Sequence, residues 1–177
     1  MARGLTSAVK TELATGNIEP VILLELGFGT PVYLTNASFD ITSSVSGTSR
    51  TYQANGHFRG ITGVSETNAP SKNSLIVNLS GVDQTYISIA LNENIINDNV
   101  FVYRGFLDAN LALIDDPFLL FYGTIDEYKI TDTTKSASIN LTVTSHWGNF
   151  QNKVGEQRLT PHKKDFLVAI REWSFPL

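Results

Sequence analysis

The 177-residue sequence contains no cysteine, which removes disulfide staples, thiolate zinc sites, iron–sulfur ligation and a cysteine nucleophile at once. Stability must therefore come from packing or from neighbouring chains. Long apolar runs are missing as well. None approaches the roughly 18 to 20 residues that span a bilayer as a helix, and residues 1–16 lack the apolar stretch of a signal peptide, so a soluble chain made in the cytoplasm is expected. Charge is scarce: 17% of residues are charged, with 17 acidic against 13 basic and a formal net charge of -4. That balance gives no basic footprint for a sequence-independent grip on phosphates, and nucleic acid is not an expected partner. A P-loop, a GxGxxG turn, a GxSxG elbow and a DxDxDG calcium loop are all absent, so nucleotide and phosphate chemistry has no support and no cofactor is expected.

What is present is a 42% hydrophobic fraction, ample for one core in a chain of single-domain size. The many Ser, Thr and Asn residues give a neutral polar surface, which suits a chain whose faces are covered by partners. Leu5, Val9 and Leu13 fall four residues apart, with Thr6 and Ser7 as available N-caps and Gly16 as a stop, and predict a short amphipathic helix. Its stripe must find a surface on its own sheet or on an adjoining subunit. An aliphatic run over residues 21–26 reads as the first strand. Short segments rich in β-branched and aromatic residues follow at 31–34, 38–42, 51–54 and 60–66. Leu75, Val77 and Leu79 alternate along a strand over 74–80.

Tyr86, Ile87, Ala90 and Leu91 follow helical spacing behind Asp83, predicting one helix over 83–94. Strands are expected at 100–106, 118–125 and 136–144, the last with Ile139, Leu141 and Val143 alternating. Asp108-Ala109-Asn110 and Asp115-Asp116-Pro117 carry turn chemistry. Residues 42–50 read as a mobile hairpin tip or loop, and both 42–50 and 151–160 as polar loops or arms that become ordered on assembly, since neither shows a periodic apolar face. Phe166, Leu167, Ile170 and Trp173 mark a terminal amphipathic element. The expected fold is mainly β, a sandwich or barrel with one or two short helices, in a single domain over 1–177 with an N-terminal helical arm at 1–16 and a C-terminal arm at 151–177.

The chemistry of an active site is thin. His57, His146 and His162 are far apart and show no HxxxH or HExxH spacing, so no metal site is expected. Asp126 and Glu127, adjacent in a strand, should point to opposite faces, and Asp115-Asp116-Pro117 reads as a β-turn. A glycosidase needs two carboxylates facing each other across a cleft, and Asp115, Asp126 and Glu127 are the candidates for that alternative. A sugar- or receptor-binding module is a further alternative, favoured if aromatic rings lie exposed in a groove. Aromatic residues in strands more commonly pack the core, while Trp147 and Trp173 lie where they can anchor an interface. Three Asn-x-Ser/Thr sequons, at Asn36, Asn78 and Asn140, arise easily by chance in this composition.

The opening Arg3-Gly4-Leu5-Thr6-Ser7-Ala8-Val9-Lys10, followed by Pro20-Val21-Ile22-Leu23-Leu24-Glu25-Leu26, resembles the start of a family of phage tail proteins that includes baseplate hub proteins of siphophages and gene transfer agents. The likeness continues through Tyr52-Gln53-Ala54-Asn55-Gly56-His57 and residues 60–67. It is strongest in Leu79-Ser80-Gly81-Val82-Asp83-Gln84 and Val102-Tyr103-Arg104-Gly105-Phe106-Leu107-Asp108, and extends to residues 117–126 and 158–160. The resemblance implies a hub- or tail-tube-like β-fold and a non-enzymatic role in the virion, at the distal end of the tail. It also implies a trimeric or hexameric ring among the tube, distal-tail, tape-measure and central fibre or spike proteins.

Larger members carry a further C-terminal domain, some with cysteines that hold an iron–sulfur cluster. This sequence has no cysteine, so that cofactor is not carried over, and a hub proper and a smaller distal-tail adaptor stay open. Leu5, Val9, Leu13, Arg104, Trp147, Phe166, Ile170 and Trp173 are the candidate interface residues, with Arg104 either an exposed strand charge or one half of an inter-subunit ion pair. Gly81 and Gly105 are read as permitting tight turns, and Gly123 as a bulge or close backbone contact.

Overall fold

A computed structural model describes residues 6–16, 19–45, 47–63, 73–81, 84–133 and 136–145. Its elements are helix α1 (Ser7–Thr15), strands β1 (Glu19–Leu26), β2 (Val32–Thr35), β3 (Ile41–Val45), β4 (Thr48–Tyr52), β5 (Phe58–Thr62) and β6 (Ser74–Ser80), helix α2 (Gln84–Asn92), and strands β7 (Asn99–Leu107), β8 (Phe118–Asp132) and β9 (Ala137–Ser145). Seven strands form one antiparallel sheet in the order β2-β1-β7-β8-β9-β6-β5, which curls into a nearly closed barrel, while β3 and β4 form a separate hairpin. The gap between edge strands β2 and β5 is bridged by the chain after β4. There the Gln53 N–H donates to Tyr33 O at 3.0 Å, the Thr35 N–H donates to Gln53 O at 3.1 Å, and the Ser80 N–H donates to His57 O at 2.7 Å. The expected mainly β fold, a sandwich or barrel with one or two short helices, is observed as the barrel with two helices.

Alternation along the strands fills the barrel. Leu24 and Leu26 of β1, Leu75, Val77 and Leu79 of β6, Val100 and Val102 of β7, Ile125 of β8, and Ile139, Leu141 and Val143 of β9 are buried in one interior cluster. Each such aliphatic side chain contributes roughly 1.5 to 3 kcal/mol by leaving water. Helix α2 adds Tyr86 and Ala90 to this core, whereas Leu91, which the helical spacing places with them, is 66% exposed. It follows Ala90 by one residue, about 100° further round the helix.

β8 runs for 15 residues because it serves two partners, pairing with β7 up to Thr124 and with β9 from Gly123 onward. At Gly123 the backbones come so close that an added Cβ would lie 2.2 Å from the Thr144 carbonyl oxygen, and a register shift follows between Ile125 and Glu127. This is the close contact and bulge expected of a barrel corner. Gly81 and Gly105 are not turns, correcting the earlier expectation: Gly81 lies close to the Ala137–Ser138 backbone, and Gly105 leaves room for side chains packed over β7. A Cβ on Gly81 would sit 2.9 Å from Ala137 Cβ, and one on Gly105, inside β7, 2.9 Å from Leu113 Cδ2.

Residues 42–50, expected to be a mobile hairpin tip or loop that becomes ordered on assembly, instead supply most of the paired strands of the β3–β4 hairpin within the chain itself. Its burial alternates, with Ile41, Ser43 and Val45 buried and Thr42 and Ser44 exposed. The hairpin seats on the outer face of β1 and β7, forming a second cluster from Ile41, Val45, Tyr52, Val21, Leu23, Tyr103 and Leu107. A buried charge fixes that seat. Glu25, 6% exposed, receives Arg50 Nη1 at 2.6 and 2.7 Å on its two oxygens and the Tyr52 hydroxyl at 2.5 Å. The Arg50 guanidinium also lies 5.5 Å from the Tyr33 ring centroid, and Tyr33 meets Tyr52 edge-on at 5.9 Å. Burial first, and then the bond to Glu25, push the Tyr52 phenol well above its ordinary 10.0.

Three outcomes test this account. Gly123→Val should lower unfolding free energy by about 2 kcal/mol or more in urea titrations, since the strand pair has no room to yield. Arg50→Ala should cost about 3 kcal/mol by leaving the Glu25 carboxylate buried without its cation, and a double-mutant cycle with Glu25→Ala should return a coupling above about 1 kcal/mol. A near-zero coupling would show that the two side chains act independently. Because the fold favours the neutral Tyr52 phenol, its contribution is full below about pH 10 and is lost as pH rises further. Ultraviolet titration should therefore find one of the six tyrosines ionising only as the protein unfolds.

Candidate functional site

Helix α1 is short and lightly held. Thr6 occupies its N-cap without a side-chain cap bond, and Gly16, in the left-handed conformation at φ 73°, ends it by donating its N–H to Leu13 O. Of the predicted stripe, Val9 is buried at 5% exposure while Leu13 is 42% exposed, so the helix spends one anchor on its own domain and leaves the next outside. Leu5 lies outside the described residues, as do His146, Trp147, His162, Phe166, Ile170, Trp173 and the arm at 151–177.

Val9 rests over the end of β7 and the start of β8, where Arg104, Phe106, Phe118, Asp115 and Asp116 line a crevice of about 40 Å3 beside it. Phe106 and Phe118 pack ring to ring at 6.2 Å. The Thr6 side chain hydrogen-bonds to the Asp115 carboxylate, which, with a further bond from the Asp116 N–H, holds that carboxylate below its usual range. The helix N-terminus is thereby tied to the β7–β8 connection.

The connection itself is built as its composition predicts. Asp108 Oδ1 accepts the N–H groups of Ala112 and Asn110 at 2.9 and 2.8 Å, and the Leu111 N–H closes the turn on Asp108 O at 3.0 Å. The Ala112 bond first, then those from Asn110, lower the Asp108 carboxylate as well.

Arg104 is not an exposed strand charge. It sits half-buried on β7 between Ile22 and Phe118 in register, and its buried Nε finds no hydrogen-bond partner among the described residues. A buried guanidinium donor left unsatisfied costs about 1 to 3 kcal/mol. Of the sequence-predicted interface residues, Val9 and Arg104 meet at this crevice.

The candidate carboxylates are not gathered. Asp115 lies before β8, and Asp126 and Glu127 lie at its bulge, roughly 25 Å further along the strand at about 3.3 Å per residue, well beyond the separation of a glycosidase pair. The bulge also breaks alternation, so Asp126 and Glu127 are both exposed and not on opposite faces, with Asp126 accepting the Thr144 hydroxyl at 3.2 Å. His57 is half-buried against the Tyr86 ring at 5.4 Å, and no cluster of metal-ligating side chains occurs among the described residues. Phe101 stacks on Tyr122 at 4.7 Å and on Tyr103 at 6.3 Å, so these rings cover one another's faces and do not open a platform in a groove. The Glu25–Arg50–Tyr52 cluster went unnoticed in the sequence. Its available signal was a single charge inside the aliphatic run 21–26, because such residues are rarely buried unless paired.

Neither protein-family profiles nor curated proteins match the sequence. Among solved structures, the fold is similar to that of a chain from the virion of a native gene transfer agent particle, with a TM-score of 0.55 and 11% identity. The match covers 85% of this chain and 48% of that one, so this chain spans about half the length of its structural neighbour. At that identity the likeness is one of fold: the barrel built here is an architecture that a gene transfer agent virion also contains.

Proposed function

We propose that this chain is a non-catalytic structural subunit of a phage-type virion, placed at the distal end of the tail as a baseplate hub or distal-tail adaptor. The observation that carries this reading is the fold shared with a gene transfer agent virion chain over 85% of the sequence. The ordered motifs that resemble phage tail proteins support the narrower tail-tip assignment. In this reading the chain closes into a trimeric or hexameric ring that continues the tube lumen and joins the tube and tape measure to fibre or spike proteins. A ring repeats one heterologous contact at every interface, so modest surfaces suffice. Leu13 and Arg104 belong to that contact, together with Leu5, Trp147, Phe166, Ile170 and Trp173 on the two arms; Val9 serves the chain's own barrel.

Cryo-electron microscopy of purified particles should locate the chain in a symmetric ring at the tail's distal end. Particles that lack it would sink the proposal. Arg104→Met separates stability from assembly: the variant should unfold at the same or higher urea concentration than the parent, because an unsatisfied donor is gone, while ring formation by sedimentation velocity falls. Full assembly with reduced stability would return Arg104 to the domain's own packing. Peptidoglycan zymograms of the purified protein should show no clearing. Clearing abolished by Asp126→Ala would favour a cell-wall hydrolase instead.

A further inference from the structure

We propose that the open edge of β3 is a docking site for an extended, basic segment of a partner protein, which joins the hairpin as a third strand over the outer face of β8. The edge follows from the register. Val45 pairs with Thr48 across a two-residue connection, and in such a hairpin the pair flanking the turn is hydrogen-bonded. Ser43 and Ile41, two and four residues back, bond to β4 likewise, so the N–H and C=O groups of Thr42 and Ser44 point away from it. No other strand among the described residues pairs with β3 on that side. The barrel's own edges are guarded. Gln53 bonds to Tyr33 and Thr35 along β2, and β5 carries Arg59, a register shift and Gly60 at φ 133°. β3 has no lysine, proline or register shift, the usual means by which a strand edge repels further pairing.

The surroundings of the edge suit a strand with one apolar face. Arg50 and Tyr52 hold β4 against Glu25 of β1 and Tyr33 of β2. β3 lies on the far side, against Leu107 of β7, and the next strand of the barrel is β8. There Leu119 and Tyr122 are 47% and 38% exposed, although Tyr103, the β7 partner of Leu119, is buried. At the start of β3 a cavity of about 190 Å3 opens between Ile41 and Leu107, with Asp40 and Leu111 at its rim. A cavity of about 150 Å3 admits a benzene-sized group, so one large apolar side chain fits. The Asp108 turn holds Leu111 half-exposed at φ 63°, a left-handed conformation that glycine or asparagine adopts at less cost. Strain of this kind collects at ligand clamps. The charge of the occupant is set by its frame. Residues 36–49 hold one acidic residue and residues 105–128 hold five, with no lysine, arginine or histidine in either, so a basic segment is complementary. Strand addition would then take affinity from the backbone of Thr42 and Ser44, and specificity from the cavity.

The probe is an acetylated and amidated octapeptide alternating lysine and valine, added to the full-length protein and followed by amide NMR and deuterium exchange. In the free protein the Thr42 and Ser44 amides should exchange freely, and the peptide should slow both by about tenfold or more. The same peptide with glutamate for lysine should bind about tenfold more weakly or worse. Ser44→Pro removes an outward N–H without touching the β4 ladder, and Ser44→Lys only adds an exposed charge at the edge. Each should weaken binding about tenfold or more, while circular dichroism and urea unfolding stay as in the parent. Where the proline disturbs the fold, the lysine variant decides. Absence of protection at Thr42 and Ser44 with millimolar peptide, protection confined to β5, equal binding of the two peptides, or full binding by Ser44→Lys overturns the proposal. So does protection of both amides without peptide. If kept on dilution, it would assign the edge to this chain's own residues, and if lost, to a second copy.

Discussion

The close approach of β8 and β9 at Gly123 is the constraint on which the barrel depends. One 15-residue strand must leave β7 and take up β9 without interruption, and only a residue lacking a side chain lets the Thr144 carbonyl come near enough. The bulge that follows absorbs the extra residue and increases the local twist. Bent in this way, β8 lets β9 and β6 swing Leu141, Val143 and Val77 toward Val100 and Val102 of β7. A flat sheet would have left those two sets of side chains on a surface too broad for α2 to cover.

Outside the barrel a different logic applies. The hairpin's apolar contribution is small, from Ile41, Val45 and Tyr52, and small apolar contacts alone specify register weakly. Glu25 supplies the discrimination. Moving β4 by one residue would turn Arg50 and Tyr52 to the opposite face and leave a buried carboxylate without partners. The desolvation cost of that arrangement exceeds what slippage of three apolar side chains could return. The inner cluster thus provides most of the stability, and the polar cluster decides where the outer layer sits.

Elsewhere the domain covers itself less completely. The end of β7 combines a helix held by one buried valine with an arginine whose buried Nε has no hydrogen-bond partner among the described residues. The outer face of β8 begins where the hairpin's coverage stops. The β7 end carries Arg104 beside Asp115 and Asp116, so charge as well as apolar surface lies there.

Much of the fold was legible because strand alternation is a local property. Leu75-Val77-Leu79 and Ile139-Leu141-Val143 declare one buried face each, and the Gly16 stop and the Asp108 turn need only their immediate neighbours. Residues 42–50 were legible as a hairpin tip or loop but not as paired, seated strands, because Ser and Thr fill their outer face and Ser43 interrupts the inner one, so the apolar alternation becomes visible only against the sheet that buries it. Leu13 and Arg104 were nameable as surface candidates. Their state was not, since whether a helix stripe or a strand arginine is covered depends on chain segments far away in sequence. The sequence alone determined the class, a cysteine-free β-domain with two short helices, because residue chemistry and period set those locally. Tertiary structure alone decided barrel closure, the pairing of Glu25 with Arg50 and Tyr52, and the role of Gly123, because each requires two backbones brought together by the path of the whole chain.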